Sequence, residues 1–149
     1  MFIYVREIVL LCAILVMPAC AKSCDAHVKD GTSKGVAHQK ELAVAGKALF
    51  QAKACGGCHT IGAGKLSGPD LKDVSKRRSK EWLVAWLKNP DDMFAKKDPI
   101  AMKMLGEYFT KMPNLNLSDD EVVKLLAYME QESNAYQHKT NGGKHEQSH

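Results

Sequence analysis

The feature that most constrains this chain is a short run in its first half, Cys55-Gly56-Gly57-Cys58-His59. The two thiols are three positions apart, so they lie on one side of a helical turn. The imidazole of His59 follows Cys58 directly and projects from the same turn. This pattern is typical of covalent c-type haem attachment, in which two thiols add to the vinyl groups of a porphyrin and a histidine reaches the iron.

Two other uses of paired cysteines fit the chain less well. A thiol–disulfide redox pair belongs in a β-α-β unit, and the sequence shows no convincing strand alternation. A structural zinc site needs a second pair of ligands at suitable spacing, but Cys12, Cys20 and Cys24 all lie near the N-terminus. The total of five cysteines is also odd for a disulfide framework. One covalently held haem c is therefore the cofactor that the sequence predicts.

The iron of such a haem needs a second axial ligand, and methionine is the candidate residue type. Met112 is followed by Pro113 in an irregular segment, where a loop can present a thioether to a metal and proline blocks a helix. Met102 and Met104 remain alternatives by position. Met129 lies among Val and Leu in a helical pattern and is expected to fill the core.

The N-terminus carries a targeting pattern. Residues 8–19 are apolar, follow Arg6 and are too few to span a membrane, which fits the hydrophobic region of a signal peptide. Cleavage after Ala21 would fit an ordinary signal peptidase, whereas cleavage before Cys20 would leave an acylated Cys20 as in a bacterial lipoprotein. Residues 1–21 are predicted to be a leader, and the mature protein to be exported to the periplasm, with a membrane anchor in the lipoprotein case.

The rest of the chain divides into three segments. Residues 22–40 are polar, contain glycine and lack helical periodicity, so they are predicted to form a flexible tether, which favours the lipoprotein alternative. Residues 41–133 are predicted to be one all-α domain of about four helices, and residues 134–149 a disordered tail. The four helices predicted from apolar spacing and end signals span residues 39–53, 80–89, 99–109 and 119–132.

Three of these predicted helices have recognisable start signals. Ser79 can cap the second helix, and Pro90 ends it. Pro99 suits the first turn of the third helix. Ser118 and Glu121 have the spacing of a capping box at the start of the fourth helix.

Composition narrows the class of protein further. Hydrophobic residues make up 45% and charged residues 26% of the chain, which is ordinary for a soluble globular domain. The net charge of +4 is spread thinly, so no basic block indicates binding to nucleic acid. No apolar run is long enough for a polytopic membrane protein.

Residues 41–133 resemble a class I monohaem cytochrome c, a small helical fold wrapped around one covalently bound haem c. Four short motifs besides the Cys55–His59 run carry the resemblance. In chain order these motifs are Gly46-Lys47-x-x-Phe50, Gly68-Pro69-Asp70-Leu71, Met112-Pro113 and Leu125-x-x-Tyr128.

The resemblance implies roles for residues at the haem. Cys55 and Cys58 would hold the haem covalently, with His59 as the proximal and Met112 as the distal axial ligand. The carbonyl of Pro69 would accept a hydrogen bond from the other ring nitrogen of His59, which sets its tautomer and holds its plane.

The resemblance also implies contacts farther from the iron. The first and last helices would cross, with Gly46 allowing close approach of Tyr128. Arg77, Arg78 and Trp82 occupy a position where basic and indole donors meet the haem propionates in this family, and the sequence leaves open which of them does so. Residues 91–108 are longer than the corresponding segment of the smallest family members, and no role is assigned to them.

The implied function is electron transfer between redox proteins, and the protein is expected not to be an enzyme. His59 and Met112 would leave the iron without an open coordination position, which favours outer-sphere electron transfer. The implied partners are an oxidase, a reductase or a quinol-oxidising complex that docks briefly over the haem edge. A haem-based sensor or ligand-binding module, in which the sixth ligand is displaced, and a peroxidase-type enzyme are the alternatives.

Overall fold

In the computed structural model, which describes residues 30–142, every regular element is helical. The prediction of an all-α fold is therefore confirmed for this part of the chain, although six α-helices are found there instead of four. The helices are α1 (Asp30–Ala52), α2 (Val74–Arg77), α3 (Lys80–Lys88), α4 (Pro90–Ala95), α5 (Pro99–Tyr108) and α6 (Asp119–Gly142), and Cys55–Gly57 form a 3₁₀ turn.

The two longest helices, α1 and α6, pack against each other and form one side of the core. At Gly46 in α1, a β-carbon would lie 2.0 Å from the carbonyl oxygen of Lys124 and 2.8 Å from the β-carbon of Tyr128. Only glycine therefore permits this close approach, as the resemblance implies. Next to this contact the rings of Phe50 and Tyr128 lie 5.3 Å apart, and Phe50 and Leu125 belong to one buried cluster.

Helices α3, α5 and α6 begin where their start signals predict. The hydroxyl of Ser79 accepts a hydrogen bond from the amide of Trp82 at 3.2 Å, and Pro99 occupies the first turn of α5. The capping box at α6 is complete: the Glu121 amide donates to the Ser118 hydroxyl at 3.2 Å, and the Ser118 amide donates to the Glu121 carboxylate at 2.9 Å.

Helix α4 was not predicted, although its start signal is visible in the sequence. Helix α3 ends before Pro90, as expected, but Pro90 also begins α4. The side chain of Asn89 caps the new helix by accepting a hydrogen bond from the amide of Asp92 at 3.1 Å. The segment 91–108 thus consists of most of α4 and α5. It buries Met93 and Ala101 against Trp86 in a second small core cluster.

The predicted tether of residues 22–40 is wrong for residues 30–40, which belong to α1. The sequence signal was weak because residues 33–40 of the helix are exposed, so the apolar residues among them need no helical spacing. Once residues 41–52 are packed on α6, each further residue adds a hydrogen bond without a new nucleation step. Residues 22–29 lie outside the described part of the chain.

The predicted disordered tail is also wrong for residues 134–142, which extend α6. This extension has tertiary partners that a periodicity search does not detect. The side chain of Gln137 donates to the carboxylate of Asp73 at 2.9 Å, and the ring of Tyr136 packs against Gly62. Residues 143–149 lie outside the described part.

The predicted leader, with Cys20 and both cleavage sites, lies outside the described residues as well. Among the helices of residues 30–142, none combines the length and the apolar character that crossing a membrane requires.

Candidate functional site

The Cys55–His59 motif lies on a tight turn directly after α1. Ala54 adopts a left-handed conformation with φ of 53°, which redirects the chain into the 3₁₀ turn. The amides of Cys58 and His59 both donate to the carbonyl oxygen of Cys55, at 3.2 and 3.0 Å. This turn presents two thiols and one imidazole together, with Cys55 half-buried and Cys58 exposed.

Two adjoining cavities open beside this turn, each with about 770 Å³ of space continuous with solvent. Their walls are mainly apolar. The first cavity reaches into the main core, where Phe50, Leu125 and Met129 line it. The second reaches the surface beside Cys58 and Tyr108. Six residues line both cavities: Cys55, His59, Pro69, Trp86, Met104 and Met112.

The ring of His59 is held by the loop that follows it. Its Nδ1 lies 2.8 Å from the carbonyl oxygen of Pro69, the arrangement that the resemblance implies. Because a carbonyl oxygen can only accept, this hydrogen bond puts the proton on Nδ1 and leaves Nε2 available to a metal. A β-carbon at Gly68 would lie 2.7 Å from Cε1 of His59, so a glycine is needed for the loop to close on the ring.

The same loop is organised around the carboxylate of Asp70. It accepts hydrogen bonds from the amides of Gly62, Gly64 and Lys72 at 2.6 to 2.9 Å, and from the hydroxyl of Thr60 at 3.0 Å. Desolvation tends to raise the pKa of Asp70, but these hydrogen bonds outweigh it and hold the pKa below its ordinary value. Sequence reasoning missed this role. The signal available in the sequence was an aspartate that follows two closely spaced glycines. In the structure both glycines, Gly62 and Gly64, have positive φ.

The structure brings three thioethers to the cavities. Met112, from the segment between α5 and α6, lines both cavities, and so does Met104 from α5. Met102 is 42% exposed and lines neither of these cavities. Met129 lines only the first cavity, where it is buried in α6 as part of the main core, as predicted. Met112 and Met104 are therefore the two methionines that line both cavities beside Cys55.

The three candidate propionate contacts all line the first cavity, but their donors differ in availability. The only donor of the Trp82 side chain, its indole N–H, is bonded to the carboxylate of Asp98 at 3.2 Å. Arg77 donates from one guanidinium nitrogen to the carbonyl oxygen of Asp70 at 2.5 Å, and Arg78 to that of Arg77 at 2.8 Å. A guanidinium has five N–H donors, so both arginines retain donors for a carboxylate.

The donor set at the cavities fits a covalently attached haem. Two thiols on one turn, an imidazole with its Nδ1 already engaged, and a thioether all border the same apolar space. The stacked rings of Trp82 and Trp86, with centroids 5.4 Å apart, support one wall of this space. Within residues 30–142, no three His, Cys, Asp or Glu side chains are grouped to hold a metal ion, so nothing there supports the zinc alternative.

Comparisons with known proteins agree with this fit. The family model for cytochrome c matches residues 43–133. A cytochrome c from Rhodothermus marinus is 27% identical, with a TM-score of 0.58 over 80% of this chain and 91% of that chain. The cytochrome c domain of the pp3183 protein from Pseudomonas putida is 40% identical, with a TM-score of 0.57 over 64% of this chain and 94% of that chain.

An engineered Rhodothermus marinus cytochrome c bound to a carbene intermediate is 26% identical, with a TM-score of 0.54 over 79% of this chain and 91% of that chain. No curated protein matches the chain. The family match covers well over half of the chain and includes Cys55, Cys58 and His59, so the cofactor is haem c. The chain is a member of the cytochrome c family.

Proposed function

We propose that the protein is a single-electron carrier whose haem iron is bound by His59 and Met112. The observation that carries this proposal is that both side chains line both cavities, with His59 oriented by Pro69 at 2.8 Å. When bound, the haem supplies reversible one-electron chemistry at its iron. The chain's own residues hold the group, exclude water from one side of it and leave one edge accessible.

Two side-chain ligands favour a carrier over the alternatives. An imidazole and a thioether bound to the iron would leave no position open for oxygen, peroxide or another small ligand. A sensor or a peroxidase-type enzyme would have to displace Met112 first. The thioether and the apolar wall also favour the less charged reduced state, which raises the reduction potential.

The negatively charged propionates of the haem need hydrogen-bond donors inside this fold. A buried carboxylate without donors is strongly unfavourable, and the unused N–H groups of Arg77 and Arg78 meet that need. We assign the propionates to this side of the first cavity. Trp82 then contributes by packing and by its bond to Asp98 instead of binding a propionate itself.

Partners would dock over the second cavity, where the exposed Cys58 would hold an edge of the haem near the surface. Lys65 and Lys111 lie beside this mouth, over the rings of Tyr108 and Phe94, and the side chain of Phe109 is 87% exposed. A small apolar contact with a basic rim suits brief association with an acidic redox protein. An oxidase, a reductase or a quinol-oxidising complex would meet this requirement.

The axial ligands are tested by the oxidised spectrum of the intact protein. We expect a weak thioether-to-iron charge-transfer band near the red end, and a reduced spectrum that added carbon monoxide leaves unchanged. Met112→Ala should abolish the band and lower the potential, whereas the control Met102→Ala should keep both. Retention of the band in Met112→Ala and its loss in Met104→Ala would assign the ligand to Met104 and overturn this proposal.

Export is the second part of the proposal, supported by the leader pattern in residues 1–21. Mass spectrometry of the intact mature protein reports the haem adduct, the cleavage site and any acyl chains together. A mass beginning at Cys20 with added acyl chains would establish a periplasmic lipoprotein. A mass beginning at Lys22 would establish a soluble periplasmic protein, and a mass that includes residues 1–19 would overturn export.

A further inference from the structure

The extension of α6 beyond residue 133 lies outside the segment that matches the cytochrome c family model. It nevertheless packs on the loop of residues 62–73, which holds the ring of His59. Its contacts fall at the two ends of that loop, near Gly62 and near Asp73. The inference below rests on the proposed function, because it requires His59 to be an iron ligand.

At the far end of the loop, Asp73 is held by two residues of α6, Ser133 at the end of the family match and Gln137 in the extension. The buried hydroxyl of Ser133 accepts a hydrogen bond from the Asp73 amide at 2.9 Å and donates to the carbonyl oxygen of Met129 at 2.7 Å. The side-chain amide of Gln137 donates to the Asp73 carboxylate at 2.9 Å. Asp73 has a φ of 54°, an unfavourable conformation for a residue with a β-carbon, so these bonds help to hold it.

At the near end of the loop, Tyr136 is the contact. A β-carbon at Gly62 would lie 2.5 Å from the Tyr136 ring, so the glycine backbone packs directly on the aromatic face. The ammonium group of Lys72 lies 4.3 Å from the centre of the same ring, a cation–π distance. Tyr136 therefore contacts both the start of the loop and the residue before Asp73.

Both residues that Tyr136 contacts are connected to His59 through a short series of hydrogen bonds. The amides of Gly62 and Lys72, the two residues that Tyr136 touches, donate to the carboxylate of Asp70 at 2.9 and 2.7 Å. Asp70 follows Pro69, whose carbonyl oxygen lies 2.8 Å from Nδ1 of His59. A shift of the loop against the extension thus changes the position of the Pro69 carbonyl.

We propose that Tyr136 and Gln137 are positioning residues for His59: they clamp the 62–73 loop onto α6 and so maintain the hydrogen bond between the Pro69 carbonyl and the His59 ring. This bond makes the imidazole more electron-rich, which favours the oxidised iron. Loosening the clamp weakens the bond, makes the imidazole a poorer donor and moves the reduction potential upward.

The test uses the full-length, haem-loaded protein in its reduced state. Tyr136→Ala removes the aromatic contact, and Gln137→Met removes the donor to Asp73 with little change of shape. The control is His138→Gln, on an exposed position of the same helical turn. Two quantities are measured by NMR: hydrogen exchange of the His59 Nδ1–H, and exchange of the α3 amides of Leu83, Trp86 and Leu87, which report global opening. The midpoint potential is measured in parallel.

We expect exchange of the His59 Nδ1–H to be at least tenfold faster in Tyr136→Ala and Gln137→Met, with unchanged α3 exchange and a higher potential. His138→Gln should behave as wild type, and Gln137→Lys, which retains a donor to Asp73, should restore slow exchange. Equal acceleration at His59 and in α3 would mean that the extension only stabilises the fold, and would overturn the proposal. Unchanged exchange at His59 would overturn it too.

Failure of the proposed function gives a different result in the same spectra. A His59 ring bound to the haem iron lies within the ring current of the porphyrin, so its ring protons in the wild type should be strongly shifted. Unshifted His59 protons would refute the ligand assignment itself. Shifted protons with exchange that the variants leave unchanged would refute only the clamp.

Discussion

Gly46 is the residue where a single methyl group would disturb the fold most directly. Its α-carbon faces the backbone of α6, and an added β-carbon would lie 2.0 Å from the Lys124 carbonyl oxygen, which cannot move without bending that helix. We expect Gly46→Ala to lower the free energy of unfolding by about 3 kcal/mol. Guanidinium unfolding of the haem-loaded protein measures this change.

Gly35, in the same helix, is the matched control for Gly46. A β-carbon there would meet no atom within 4 Å. Gly35→Ala should therefore stabilise the protein by roughly 0.5–1 kcal/mol, because alanine loses less backbone entropy in a helix. If both variants changed stability equally and in the same direction, close packing at Gly46 would not be the reason for its glycine.

Asp70 makes the loop beside His59 sensitive to acid. Its pKa is lowered in the folded protein, so the folded state binds fewer protons than the unfolded state as pH falls. Its stabilising contribution is present above the ordinary aspartate pKa of about 4 and is lost as pH falls through the lowered value. We expect Asp70→Asn to remove this dependence and to destabilise the protein at neutral pH by about 1 kcal/mol.

Unfolding midpoints at pH 7 and pH 3 test this assignment to Asp70. The stability difference between wild type and Asp70→Asn should shrink in acid. Asp91→Asn, at an exposed position in α4, is the control and should leave the pH profile unchanged. A difference that stayed constant between the two pH values would show that the carboxylate charge does not organise the loop.

Among the helices, the ends that depend on local signals can be predicted from the sequence, and those that depend on tertiary contacts cannot. Ser79, Pro99 and Ser118 predicted helix starts because a cap acts on the next few amides and needs no distant partner. Asn89-Pro90 carries an equally local start signal for α4. The signal was missed because the same proline also marks the end of α3.

The helix extensions were missed for a different reason. Residues 134–142 look like a polar tail because their partners, Gly62 and Asp73, lie far away in sequence. No periodicity reports such a contact. The site shows the same division: Cys55 and His59 follow from one motif, whereas Asp70 acts through loop amides that only the fold brings together.

The start of helix α6 tests whether the cap at Ser118 stabilises the helix. Ser118→Ala removes the acceptor for the Glu121 amide, 3.2 Å away, and leaves that amide without its side-chain cap. We expect a loss of about 1 kcal/mol in the free energy of unfolding. Ser118→Asp supplies another good N-cap acceptor and should keep most of the stability. Equal losses in both variants would mean that the hydroxyl does not act as a cap.

The whole molecule has a core that is continuous with its cofactor site. Phe50, Leu125 and Met129 belong to the main buried cluster and also line the first cavity, and Trp86 connects the second cluster to both cavities. The α1–α6 pair and the segment formed by α3, α4 and α5 therefore meet across the space that the haem fills. Without the haem, these apolar side chains would face a solvent-filled gap.

Folding of the whole domain should therefore depend on the haem. We expect Cys55→Ala/Cys58→Ala, purified without haem, to retain part of the helical far-ultraviolet circular dichroism but to lose the cooperative thermal transition. Cys24→Ala is the matched control, since it removes a cysteine outside the motif and should keep haem and cooperativity. A haem-free double variant that unfolds cooperatively at the midpoint of the loaded protein would show that the helices form a complete core alone. A haem bound in these cavities would contact both core clusters at once, so its loss should affect all helices together.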